Sequence, residues 1–147
     1  VAKKQNLTFL DTDKLIEKKN LMTISEIFKK KGEKFFRTEE EKEVLKFLNK
    51  NNYVIALGGG SFMNKTIRNH VLKKCISIWL FAPIEVLNSR IKKNFKRPLL
   101  GKEDNQQMLE KIYKERKNIY KLANHKINCG TLNKEHIAKK VIEIYER

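Results

Sequence analysis

Acidic residues are scarce in this chain. Its 147 residues hold 17 Asp and Glu against 33 Lys and Arg, a formal net charge of +16. Proline and cysteine are scarcer still, at two each. There is no repeat and no low-complexity tract, and 40% of the residues are hydrophobic. That combination excludes fibrous and disordered classes and describes one globular domain, residues 1–147, long enough to bury a core. No apolar run approaches the roughly 18 residues of a spanning helix, and no secretory pattern is visible. The expectation is therefore a cytoplasmic chain in which Cys75 and Cys129, each placed in a separate predicted strand, stay reduced. Two cysteines alone make no zinc site. The excess of base admits a nucleic-acid or anionic-membrane partner. However, the lysines are scattered along every predicted helix beside asparagine and isoleucine, and no aromatics are interleaved with them as a single-strand-binding face requires. They read as decoration of solvent faces, so neither nucleic acid nor membrane is expected as a partner.

What the sequence does possess is Tyr53-Val54-Ile55-Ala56-Leu57 running straight into Gly58-Gly59-Gly60. An apolar run without alternation predicts a strand buried on both faces, as in a parallel sheet. Glycines at its end permit positive φ and allow backbone N–H groups to approach a ligand; a tight turn without a ligand is the alternative. A helical pattern over Asn64, Ile67, Val71 and Leu72 follows. The turn therefore lies at the carboxyl end of a strand, where α/β sheets bind ligands.

The remaining pattern alternates. A strand over residues 7–10 leads to a helix containing Leu15 and Ile16. Thr23 and Glu26 form a capping box for a helix that Gly32 ends, and a longer helix covers residues 33–49. Beyond the helix at 64–73 come a strand at 75–81, a helix at 83–93 with Pro83 in its first turn, and a loop at 94–105. A helix at 106–122, a strand at 125–129 and a helix at 133–147 complete the chain. Strands alternating with helices predict α/β architecture, a three-layer parallel sheet with helices on both faces.

Three features carry possible chemistry. Asp11 and Asp13 leave a strand end two residues apart and point different ways, so one suits a metal and the other a substrate; Asp13 as helix N-cap is the plain alternative. Arg116 shares a helix face with Ile112, Tyr113, Ile119 and Tyr120, which is costly for a guanidinium without a partner. A buried acid such as Glu40 would satisfy it, as would snorkelling or a bidentate grip on a carboxylate or phosphate. Arg37 poses the same question, with Glu41 at i+4 as a surface partner. Residues 88–102 carry Arg90, Lys92, Lys93, Lys96, Arg97 and Lys102 with no acid. Hinged by Pro98 and Gly101, they suit a lid over phosphates or a solvated basic loop.

Along almost its whole length the chain resembles shikimate kinase. The matching stretches are Phe9-Leu10-Asp11-Thr12-Asp13, Ile16-Glu17, Met22-Thr23-Ile24, Glu26-Ile27-Phe28, Gly32-Glu33 with Phe36-Arg37, Ala56 to Gly60, Arg97-Pro98-Leu99-Leu100, and Arg116 with Tyr120. The resemblance implies a P-loop kinase fold that moves the γ-phosphoryl of ATP to the 3-hydroxyl of shikimate, with Mg²⁺, in the route to aromatic amino acids. It implies Asp13 at the shikimate hydroxyls and as base, Asp11 at Mg²⁺, and Arg37 and Arg116 on the substrate carboxylate with the backbone of Gly59 and Gly60. It also implies Arg97, on the 94–105 lid, at the transferring phosphates and Arg90 beside the adenine, in a protein that is monomeric when full length. Two departures stand out. Lys117-Asn118-Ile119 lacks the family's proline, and no G-x-x-x-x-G-K-[ST] motif occurs. The expectation is that the first, central strand and its P-loop precede Val1 and that this chain alone is inactive. The alternatives are a related kinase of small molecules, such as a gluconate kinase, and an inactive remnant that binds a partner.

Overall fold

The computed structural model describes residues 1–92 and 105–147. They form two compact bodies, residues 1–76 and residues 77–147.

The first body opens with a 3₁₀ turn at Ala2–Gln5, ended by Asn6 in the left-handed region. Strand β1 (Thr8–Asp11) then pairs in parallel with β2 (Tyr53–Ala56), in the register Thr8 to Tyr53 through Asp11 to Ala56. Between them lie α1 (Thr12–Asn20) and α2 (Ile24–Leu48). The capping box is formed: Thr23 Oγ1 accepts from Glu26 N at 3.3 Å, and Glu26 Oε2 accepts from Thr23 N at 2.8 Å. Such a cap contributes about 1 kcal/mol. Gly32 breaks the helix as expected, with φ 84° and ψ 163°. That conformation is open only to glycine, so α2 consists of two helical segments meeting at one residue.

Buried Ile16, Ile27 and Phe36 pack with Met22, Ile24, Phe28 and Phe35, the Phe28 and Phe36 rings lying 5.0 Å apart. Each side chain removed from water this way stabilises by about 1.5–3 kcal/mol. Lys19 ties α1 to α2 through Glu39 and Glu43, both at 2.7 Å. The body closes with a 3₁₀ turn at Ser61–Met63 and α3 (Lys65–Lys74), whose Ile67 and Val71 are buried.

In the second body, β3 (Ile78–Phe81) pairs in parallel with β4 (His125–Asn128), Ile78 opposite His125. Helix α4 (Ile84–Lys92) follows β3, α5 (Asn105–Tyr120) precedes β4, and α6 (Lys134–Tyr145) is capped by Asn133. Asn124 Oδ1 accepts from both N and Oγ of Ser77, at 3.1 and 2.6 Å, fixing where the two strands begin. Trp79 packs edge-on against Phe81 and Tyr120, and Lys126 Nζ stands 4.0 Å from the Phe81 ring centre.

The parallel α/β class is as expected; two local expectations are not met. Strand β2 is half-buried, with Ala56 exposed, rather than covered on both faces. Among the described residues it has one hydrogen-bonded neighbour, β1, and a strand bonded along one edge keeps part of its surface in water. Cys75 is the C-cap of α3 and Cys129 follows β4, so neither lies within a strand. Both are free thiols whose pKa burial raises, which makes them poor nucleophiles. No described helix is long and apolar enough to cross a membrane.

Candidate active site

At the end of β1 the chain turns directly into α1, and Asp11 is the hinge. Its backbone is extended, and its Oδ1 accepts from Asp13 N at 3.1 Å and Lys14 N at 3.2 Å. The helix cap is therefore Asp11, not Asp13, because the helix begins at Thr12 and the cap must precede it. Asp13 is left in the first turn with its carboxyl unused by the cap. Burial, and then the negative charges of Glu40, Asp11 and Glu17, raise its pKa to about 6, with Arg37 opposing. Between the two aspartates, fully buried Thr12 donates through Oγ1 to Ala56 O at 3.2 Å and accepts from Gly58 N at 3.0 Å. That hydroxyl joins the end of β2 to the start of α1. It fixes the aspartates against the glycine turn.

Arg37 lies on α2, over the face of Phe36 at 5.2 Å. Its Nη1 donates to Glu40 Oε2 at 2.8 Å, and its Nε and Nη2 donate to Glu33 Oε1 at 3.3 and 3.2 Å. Burial works against the charge, but the bonds and charges of Glu40 and Glu33 outweigh it and raise the pKa of the guanidinium. Two expected pairings are corrected here. Glu40 serves Arg37 rather than Arg116, since it lies one turn along the same inward face. Glu41 is drawn instead to Asn64, whose Nδ2 donates to Oε2 at 2.5 Å. Glu40 is 2% exposed, and its Oε1 accepts from Ser61 Oγ at 2.6 Å.

The glycine turn works differently from its sequence reading. Among the described glycines only Gly32 has positive φ, and Gly60 sits at φ −91°. The requirement at the turn is space. A Cβ on Gly58 would strike Asp13 Oδ1 and come within 3.1 Å of its Cγ and 3.2 Å of Glu40 Oε1. One on Gly60 would land on the Arg37 guanidinium, 2.6 Å from Cζ. Nor is the Gly58 N–H open to a ligand, being held by Thr12. Beyond the turn, Arg68 Nη1 donates to Phe62 O and Met63 O at 3.1 and 2.9 Å, and Asn64 caps α3.

The first body thus brings together Asp11, Asp13, Arg37, Gly58 and Gly60. Of the other expected site residues, Arg90 belongs to the second body, where Nη2 donates to Cys129 O at 3.0 Å. Arg116 is half-buried on α5, on the face it shares with half-buried Ile112, Tyr113, Ile119 and Tyr120. Among the described residues it has no carboxylate partner, in contrast to Arg37 with two. Arg97 and the 94–105 lid lie outside the described residues, except for Asn105 at the start of α5.

A family model described as Shikimate kinase matches residues 1–146. The chain belongs to the shikimate kinase family. It is 40% identical over 136 residues to the shikimate kinase of Bartonella henselae, covering 92% of this chain and 65% of that protein. With the shikimate kinase of Thermoanaerobacter pseudethanolicus it shares 36% identity over 147 residues, 100% of this chain and 86% of that one. Among solved structures, a shikimate kinase from Acinetobacter baumannii in complex with shikimate superposes with a TM-score of 0.91 at 30% identity, covering 98% of this chain and 81% of that one. The shikimate kinase of Aquifex aeolicus gives a TM-score of 0.84 at 30% identity, covering 99% and 84%.

Against this shikimate kinase background, sequence reasoning missed three participants: Thr12, Glu40 as partner of Arg37, and Ser61. Thr12 carried a signal, a hydroxyl between two acids at a strand end, that was given no role. Glu40 carried one too, its i+3 spacing from Arg37; Ser61 carried none, because a contact between residues 21 apart is set by how α2 packs on the turn.

Proposed function

We propose that this chain carries the shikimate site of a kinase that moves the γ-phosphoryl of ATP to the 3-hydroxyl of shikimate. One observation carries the reading: Asp13 and the doubly paired Arg37 both press against the same three-glycine turn, where a side chain at Gly58 would strike the one and a side chain at Gly60 the other. A guanidinium has five N–H donors. Glu33 and Glu40 take three of them. One N–H remains on each terminal nitrogen, the pair suited to grip a carboxylate end-on. The resemblance assigns Arg116 a carboxylate-binding role as well, and the backbone of Gly59 and Gly60 a place at the shikimate site. Asp13, with a pKa of about 6, is mostly ionised at neutral pH yet close enough to it to accept a hydroxyl proton, the balance a general base needs. Transfer then rests on positioning and charge neutralisation.

Magnesium fits the donors present. The described residues offer no cluster of three or more ligating side chains, and Mg²⁺ commonly takes one or two carboxylates, completing its shell with water and phosphate. Asp11 would hold it through Oδ2, since both cap bonds fall on Oδ1. When bound, the ion neutralises charge on the β- and γ-phosphate oxygens. Arg97 supports the same phosphates and Arg90, anchored on Cys129, flanks the adenine. The sequence holds no P-loop motif, so these 147 residues bind shikimate without turning over ATP on their own. The two free thiols suit a reducing compartment, which we take to be the cytoplasm.

Calorimetric titration of the chain tests this reading. Shikimate binds, gluconate binds far more weakly, and Arg37→Ala loses about 2–5 kcal/mol of shikimate affinity. No shikimate binding, or binding indifferent to both Arg37→Ala and Asp13→Asn, overturns it.

A further inference from the structure

Glu40 makes a second bond that the proposed reaction does not use. Its Oε1 accepts from Ser61 Oγ at 2.6 Å while Oε2 holds Arg37 Nη1 at 2.8 Å. Ser61 is 0% exposed and Glu40 2%. A carboxylate at that depth is expensive unless both oxygens are bonded. Arg37 bonds one of them and Ser61 the other. Ser61 is itself fixed, since its N–H donates to Gly58 O at 3.0 Å. Residues 58–61 thus make room for Asp13, make room for Arg37, and anchor the acid that aims Arg37.

We propose that Ser61 is a positioning residue for the substrate carboxylate: through Glu40 it holds the Arg37 guanidinium so that one N–H on each terminal nitrogen points into the site. This rests on the shikimate reading of Arg37. Ser61 acts through two other side chains. Without its hydroxyl, Glu40 Oε1 loses its donor in a site shielded from water, and the carboxylate turns to find another. Arg37 then depends on Glu33, whose side chain is 53% exposed. A pair that open to solvent fixes orientation poorly.

The test compares shikimate with its methyl ester, which lacks the carboxylate charge, by calorimetric titration of the 147-residue chain. The wild type prefers the acid. Ser61→Ala weakens shikimate binding about tenfold, as expected for one hydrogen bond to a charged group, and leaves ester binding nearly unchanged, so the preference collapses. Ser61→Cys, which keeps a weak donor, falls between the two. A merely structural role for Ser61 would weaken both ligands alike, and that result overturns the proposal, as does an unchanged acid-to-ester ratio. If Ser61→Ala fails to fold, the ratio in Ser61→Cys decides: a drop supports the proposal, and a wild-type ratio overturns it. A wild type that binds acid and ester equally removes the shikimate reading of Arg37, and this inference falls with it.

Discussion

Replacing Gly60 with alanine separates the fold from the site. At φ −91° and ψ −20° the backbone of Gly60 is one that alanine adopts freely. Restricting the unfolded chain favours the fold by about 0.4–1 kcal/mol, which offsets part of what the fold loses when Arg37 leaves Glu40. Its Cβ, however, would fall on the guanidinium of Arg37, 2.6 Å from Cζ and 2.7 Å from Nη2. Those atoms end a flexible side chain, so Arg37 yields and the turn stays. Yielding costs Arg37 its 2.8 Å bond to Glu40. Truncating one partner of a buried charged pair costs a complex about 2–5 kcal/mol. Arg37 is displaced rather than removed, which places Gly60→Ala at the low end, about 2 kcal/mol or thirtyfold in Kd. Calorimetry with shikimate measures the affinity, and thermal melting of the same sample measures the fold. The expected result is a thirtyfold weaker site in a protein whose melting temperature moves by only a few degrees. Affinity within threefold of wild type, with the fold intact, refutes the idea that the place of Arg37 is what binds the ligand.

Two further substitutions test other parts of the structure. Asp13 titrates near 6 when folded against an ordinary 3.8, so the folded state holds the proton more tightly. Its contribution to stability is full below about pH 4 and is lost as the pH rises through about 6, by about 1–2 kcal/mol once solvent screening is discounted. Asp13→Asn should therefore stabilise the chain at pH 8 and not at pH 4 in urea unfolding, while losing shikimate affinity; equal gains at both pH values contradict the assignment. Gly32→Ala forces a side chain onto φ 84° and ψ 163°, where a Cβ would meet nothing within 4 Å. The penalty is purely that of the backbone, about 1–3 kcal/mol, read as a lower urea midpoint; an unchanged midpoint contradicts it.

Much of the fold could be read from local signals. Thr23 and Glu26 mark a helix start, Gly32 a break, Asn64 and Asn133 further starts, and the face shared by Ile112, Arg116 and Tyr120 is the half-buried side of α5. Each depends on residues close together in the chain, within about two turns of helix. The failures are equally physical. That an apolar run can be buried is written in its composition, but how far Tyr53–Ala56 is covered depends on what bonds to its two edges. Spacing offers Glu41 to Arg37, and the sequence reading offers Glu40 to Arg116, whereas Arg37 takes Glu40. The choice falls to Ser61 and Asn64, which claim one acid each from more than 20 residues away. The three glycines led to the turn beside Asp13 and Arg37, but not by unusual backbone. What Gly58 and Gly60 supply is missing volume beside Asp13 and Arg37. Only the packed structure shows where a Cβ would collide.

The most direct measurement is a crystal structure of this chain grown with shikimate. The account predicts shikimate seated against Gly59 and Gly60, with its carboxylate on the terminal nitrogens of Arg37 and its ring hydroxyls on Asp13. Glu40 should remain bonded to Ser61 and Arg37. Shikimate bound elsewhere, or bound here with its carboxylate turned away from Arg37, contradicts it.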